Sequence, residues 1–293
     1  MPVMRFTAGT VAFSIAAVGM TLLAAAAAMA LAFFIARPGA VDLFRALPDN
    51  PWWFMYREAP RATSLEVLWR IGAALATAAI AAAAAFRSFV LFRKVPSPVL
   101  PFLTVFFFSL GLECLRAGTA YLYAADGSIE AGIVLTRIMY WGRFVGLLGL
   151  LCGGLFCIEL KYRNYGVLTG VIFLVSFAMA AYIPVDRTMF LAQLTWKLGD
   201  EQGVWFVNLV IGTLAVATSA GATLARQDRR FIWLAAGIIL LLLSRELLFF
   251  AVEPVKLGCG LLSFLGGVVI CLRTLLALQQ QGKESNTEPG APT

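Results

Sequence analysis

Eight stretches of about 20 predominantly apolar residues occupy most of this chain, and that is the length one helical crossing of a bilayer requires. They run Thr7–Ala36, Leu65–Leu91, Val99–Tyr123, Ile129–Ile158, Tyr165–Ile183, Val204–Ala225, Phe231–Val252 and Leu257–Leu278. The runs are continuous rather than alternating, which argues against a transmembrane barrel. Hydrocarbon offers no partner to an open backbone, so each run is expected to be a helix. Composition agrees: 61% of the 293 residues are hydrophobic and 13% are charged, about half the charged share of a soluble chain. The expected fold is all-α, a polytopic transmembrane helical bundle of eight spans. Residues 1–279 are expected to form a single domain, and 280–293 a polar, disordered cytoplasmic tail.

Lys and Arg in the short loops orient the bundle. The second, fourth and sixth loops carry Arg93 and Lys94, Lys161 and Arg163, and Arg226, Arg229 and Arg230, whereas the third and seventh hold only Lys256; the longer first loop breaks the pattern with Arg37, Arg45, Arg57 and Arg61, interleaved with Asp42, Asp49, Glu58 and Glu66. Both termini and the tail are therefore expected on the cytoplasmic side, in a membrane of the bacterial inner-membrane kind. Net charge is +7. Because the cations cluster at span ends, topology explains them, and no nucleic-acid partner is expected. Ala28-Met29-Ala30 resembles a signal cleavage site, but the first apolar run is about twice the usual signal core, so this span is read as retained.

Two outer loops are amphipathic. Val41 to Leu47 and then Pro51-Trp52-Trp53-Phe54 are expected to lie on the membrane surface, where tryptophan is favoured. Met189 to Leu198 reads as an interfacial or shallow re-entrant helix. Within the spans, Gly142, Gly146, Gly149 and Gly153 share one helix face and predict close approach of another helix. The segment from Gly146 to Gly153 resembles Gly260 to Gly267 without a gap. The two lie at different depths in their spans, which favours chance over duplication.

Chemistry is confined to a few intramembrane charges. Glu113, Arg116, Arg137, Arg245 and Glu246 fall at similar depth in the outer half of the bilayer, at about 1.5 Å per residue from their span ends. Arg143 falls deeper. A charge at the bilayer centre costs at least ~2.5 kcal/mol, so these side chains are expected to face the bundle interior. Glu113 with Arg245, and Glu246 with Arg137, are the expected cross-helix pairs. Tyr140 and Trp141 are placed to stack on Arg137. Glu66, Arg70, Arg87 and Arg273, near span ends, are expected to snorkel to the interface. Asn208, Thr213, Thr218 and Ser219 either line a polar path or bond their own helix.

There is no histidine, which removes imidazole metal or haem ligation and His-activated nucleophiles. The five cysteines all lie in apolar runs without a CxxC and read as small hydrophobes. No cofactor or metal is expected. Three classes of function remain. The first is a transporter or permease passing a small anionic solute along Glu113, Arg116, Arg137, Arg143, Arg245 and Glu246. The alternative is a sensor or assembly module working through a membrane or cytoplasmic partner protein. An intramembrane enzyme ranks last, because no paired acids at metal spacing and no activated nucleophile are present.

Overall fold

The computed structural model describes residues 2–44, 47, 64–94, 97–158 and 164–287. The described residues form ten α-helices and one hairpin: α1 (Pro2–Ala36), α2 (Pro38–Asp42), α3 (Ser64–Lys94), α4 (Val99–Gly111), α5 (Leu115–Ala124), α6 (Ile129–Cys157), α7 (Tyr165–Tyr182), β1 (Val185–Phe190), β2 (Trp196–Leu198), α8 (Glu201–Arg226), α9 (Arg230–Phe250) and α10 (Pro254–Thr287). Eight spans result, because α4 and α5 continue one another through a 3-10 turn at Leu112–Cys114. Polar caps start several of them: the side chains of Ser128, Asn164 and Asp200 accept from the N–H groups of Ala131, Val167 and Gly203.

Helix α6 is the axis of the bundle, with 67% of its span window buried against 17% for α7 and for α8. It packs on α4, α5, α7 and α8, while α9 packs chiefly on α8 and α10, α10 returns to α3, and α1 closes against α3 and α5. The glycine face of α6 receives α4, as expected. A Cβ on Gly149 would stand 3.3 Å from the Phe102 carbonyl oxygen, and one on Gly153 would stand 3.6 Å from Phe102 Cβ. Gly149→Leu is therefore expected to lower the melting temperature in detergent, whereas Gly170→Leu, with nothing within 4 Å, leaves it unchanged. Equal melting of the two variants would mean that the α4–α6 contact does not need the small side chain.

The 189–198 segment departs from expectation, and so does the described start of the first loop. Residues 189–198 form no helix. They belong to an antiparallel hairpin pairing Val185 with Leu198 and Phe190 with Trp196, with a register irregularity between the pairs. Phe190, Leu194 and Trp196 are buried with Phe34, Phe44, Val67 and Ile133, so the hairpin caps the bundle instead of lying in the interface. The Thr119 hydroxyl donates to the Leu194 carbonyl, and Thr136 Oγ1 accepts from the Trp196 N–H at 3.4 Å. Tertiary contacts of this kind override the helical preference of a short apolar run. The first loop also turns inward: Val41, Phe44 and Leu47 are buried in the same cluster. Pro51-Trp52-Trp53-Phe54, Lys161 and Arg163 lie outside the described residues.

Smaller corrections follow the same logic. Glu66 and Arg70 are buried instead of snorkelling, whereas Arg87 and Arg273 are exposed as expected. Cys114, Cys157 and Cys271 are buried, but Cys259 is exposed on α10. Helix α10 outlasts its apolar run and continues through the good helix formers Gln279, Gln280 and Gln281 to Thr287, shortly before Pro289.

An even number of crossings puts both chain ends on one side, and the loop cations predict that it is the cytoplasmic side. In a Cys259→Ser background, cysteine replacing Asp126 should react with an impermeant maleimide from outside, and cysteine replacing Gln227 should not. Both positions are exposed loop residues. The reverse labelling would invert the bundle.

Candidate functional site: a buried charge layer and a membrane-facing groove

The 3-10 turn between α4 and α5 sits at Glu113, and its tightened backbone presents that carboxylate to α6 and α9. Glu113 Oε1 accepts from Arg245 Nε at 3.0 Å and from Arg143 Nη1 at 3.3 Å. Arg143 Nη2 donates to Glu246 Oε1. One carboxylate oxygen thus holds two guanidinium groups from different helices, and Arg143 links both acids.

The remaining donors go to main-chain oxygens. Arg245 Nη1 donates to the Arg143 carbonyl at 2.9 Å, and Arg116 Nη1 donates to those of Leu248 and Phe249 at 2.9 and 3.1 Å. Arg116 Nε reaches the Glu113 carbonyl at 3.3 Å. Aromatic faces supply further contact: Arg143 lies 4.2 Å from the centroid of Phe249, Arg116 lies 5.3 Å from the same ring, and Arg245 lies 5.7 Å from that of Phe106. These rings carry no charge and give no pattern in sequence, so their part in the layer was not legible there.

The side chains of Arg143, Arg245 and Glu113 are 0–2% exposed, and Arg116 is equally buried. Glu246 is the exception, at 25%. Three cations face two carboxylates, and carbonyl oxygens compensate the excess at Arg116. Glu113 Oε2, Arg143 Nε and Arg245 Nη2 have no hydrogen-bond partner among the described residues.

Five of the six candidate residues come together, and Arg137 does not. It is exposed on α6, and Arg143 takes its place beside Glu246. Six residues turn a helix by about 120° net of whole turns, so Arg137 and Arg143 cannot share a face. Arg143 belongs to the inward face, and its long side chain bridges the depth that set it apart in the sequence reading. Tyr140 and Trp141 are likewise engaged elsewhere. Tyr140 stands edge-on to Phe249, and the Trp141 indole donates to the Phe173 carbonyl at 3.2 Å.

Glycine makes room for the layer. A Cβ on Gly146 would collide with Ser109 Oγ and stand 3.1 Å from Arg245 Nη1. At Gly111, just before the 3-10 turn, it would collide with the Met20 side chain.

Beside Glu246 a groove of about 290 Å³ runs between α8 and α9, floored by Leu147 of α6. Its walls are mainly apolar and include Leu209, Gly212, Val216 and Leu243, with Asn208 and Thr213 as the polar members besides Glu246. Leu209, Leu243 and Trp205 are exposed, so the groove opens on the lipid-facing side. Asn208 Oδ1 is buried with no donor among the described residues. Thr218 and Ser219, by contrast, donate to carbonyls of their own helix.

The architecture is that of a multi-pass membrane protein. The chain matches no protein-family model, and neither a curated protein nor a solved structure shows significant similarity to it.

Proposed function

We propose that this protein is a membrane-embedded sensor or assembly module, with both termini on the cytoplasmic side of a bacterial inner membrane, whose charge layer latches its helices and whose output passes through a partner protein. One observation carries this reading: every arginine of the buried layer is tied to a carboxylate or a main-chain oxygen, with Glu113 bridging α6 and α9. A conduit for anions needs arginines that face an aqueous space. Here the only member half-open to its surroundings is an acid, Glu246.

A small-anion permease is the second reading, favoured by the unpartnered donors Arg143 Nε and Arg245 Nη2 and by the cationic excess. Reconstitution separates the two. The purified chain in liposomes should carry no sulfate or phosphate flux above empty vesicles, while crosslinking in native membranes should recover one stoichiometric protein partner. Saturable anion flux that Arg143→Gln abolishes would overturn the sensor reading in favour of the permease.

A further inference from the structure

We propose that the groove between α8 and α9 binds a single-chain, uncharged amphiphile taken from the bilayer, with a hydroxyl-bearing head at Glu246 and Asn208 and its chain along Leu209, Gly212 and Val216. The inference goes beyond the latch reading and stands on the groove's own lining.

Shape comes first. Asn208 lies seven residues into α8 and Val216 eight residues further, so the groove follows the helix for roughly 12 Å from its polar members towards mid-bilayer. Apart from Thr213 that run is apolar, and it faces lipid, which matches a chain lying parallel to the helix axis. About 290 Å³ is at the lower end of small-molecule pockets and gives room for part of one chain inside the groove.

Head-group chemistry follows from the polar atoms. Asn208 Oδ1 is a buried acceptor with no donor among the described residues, and the Glu246 carboxylate is partly open to the groove while one oxygen is held by Arg143. Acceptors of this kind disfavour an anionic head. A cationic head is disfavoured as well, because Glu246 is already paired with Arg143 and the adjoining layer carries one more cation than acid. A further unpaired charge at this depth is costly. A neutral donor remains, and a hydroxyl satisfies the acceptors without adding charge.

The test uses protein in phosphatidylcholine nanodiscs, since that head group has no hydrogen-bond donor. Four brominated amphiphiles of one chain length serve as probes: a monoacylglycerol, an alkyl ammonium, a fatty-acid anion and a methyl ester. Trp205 on the groove wall reports occupancy by quenching, read as the difference between the native chain and Trp205→Phe. The monoacylglycerol should quench saturably, and the other three should bind about tenfold more weakly or less. Asn208→Leu should weaken the monoacylglycerol about tenfold, and Gly212→Phe should abolish its binding. Neither variant touches an ion pair, and unchanged melting confirms folding; if Gly212→Phe melts early, Leu243→Phe fills the same space from α9. Tighter binding of the ammonium or the fatty acid overturns the head-group assignment. Equal quenching by all four probes, no saturable quenching, or quenching that survives the filled groove overturns the site. The flux and crosslinking outcomes are unaffected by any of these results.

Discussion

Glu113→Gln should lower the melting temperature in detergent more than any other isosteric change in the chain. The single oxygen Oε1 holds both Arg143 and Arg245 inside a layer sealed from solvent. Glutamine keeps the size and one acceptor but removes the charge, leaving Arg143 with Glu246 as its remaining acid and Arg245 without the acid it pairs with. Removing one partner of a buried ion pair costs about 3–5 kcal/mol, because the other charge stays desolvated and uncompensated. Two controls isolate the cause. Glu113→Gln combined with Arg245→Met removes a stranded cation with the acid and should recover a large part of the loss. Arg137→Gln, on the exposed face of the same α6, should change stability by no more than about 0.5 kcal/mol. A double variant as unstable as the single one would show that Glu113 does not act through Arg245.

Gly146→Ala should rank next, although it adds one methyl group. That methyl would fall on Ser109 Oγ and crowd Arg245 Nη1, which donates to the Arg143 carbonyl. The serine is not free to yield without cost, since it is fully buried and its hydroxyl donates to the Phe106 carbonyl at 2.7 Å. Overpacking of this kind costs about 1–3 kcal/mol, and loss of a buried bond from a charged donor adds about 1.5–3 kcal/mol. Ser109→Gly in the Gly146→Ala background should restore most of the melting temperature by vacating the space. Gly170→Ala, with open space around it, should be neutral. No rescue by Ser109→Gly would mean that the helix spacing, not this contact, sets the penalty.

How much of this was legible depends on which force decides each feature. Interior placement of Glu113, Arg116, Arg143, Arg245 and Glu246 follows from the cost of charge in hydrocarbon, and the glycine stripe of α6 announced its close neighbour. Pairing was less legible. Counting residues from span ends estimates depth, and depth alone put Arg137 in the layer and left Arg143 out; the angular phase of α6 reversed that choice. The outer hairpin left almost no signal. Its turn places Leu194 at φ 66° without a glycine or asparagine, so nothing in the local sequence marks a reversal there. The strands are held by burial of Phe190 and Trp196 against other segments.

From its residues alone this chain could only become a bundle of eight membrane helices, since each apolar run is long enough to cross and hydrocarbon tolerates no other backbone there. Tertiary structure decided the remainder: which arginine meets which acid, that the 185–198 hairpin and the start of the first loop fold inward as a cap, and that α8 and α9 leave a groove beside Glu246. The physical reason is range. Span length and burial cost are properties of a segment in its solvent, whereas helix phase, tilt and the space between neighbours arise only when distant segments pack together.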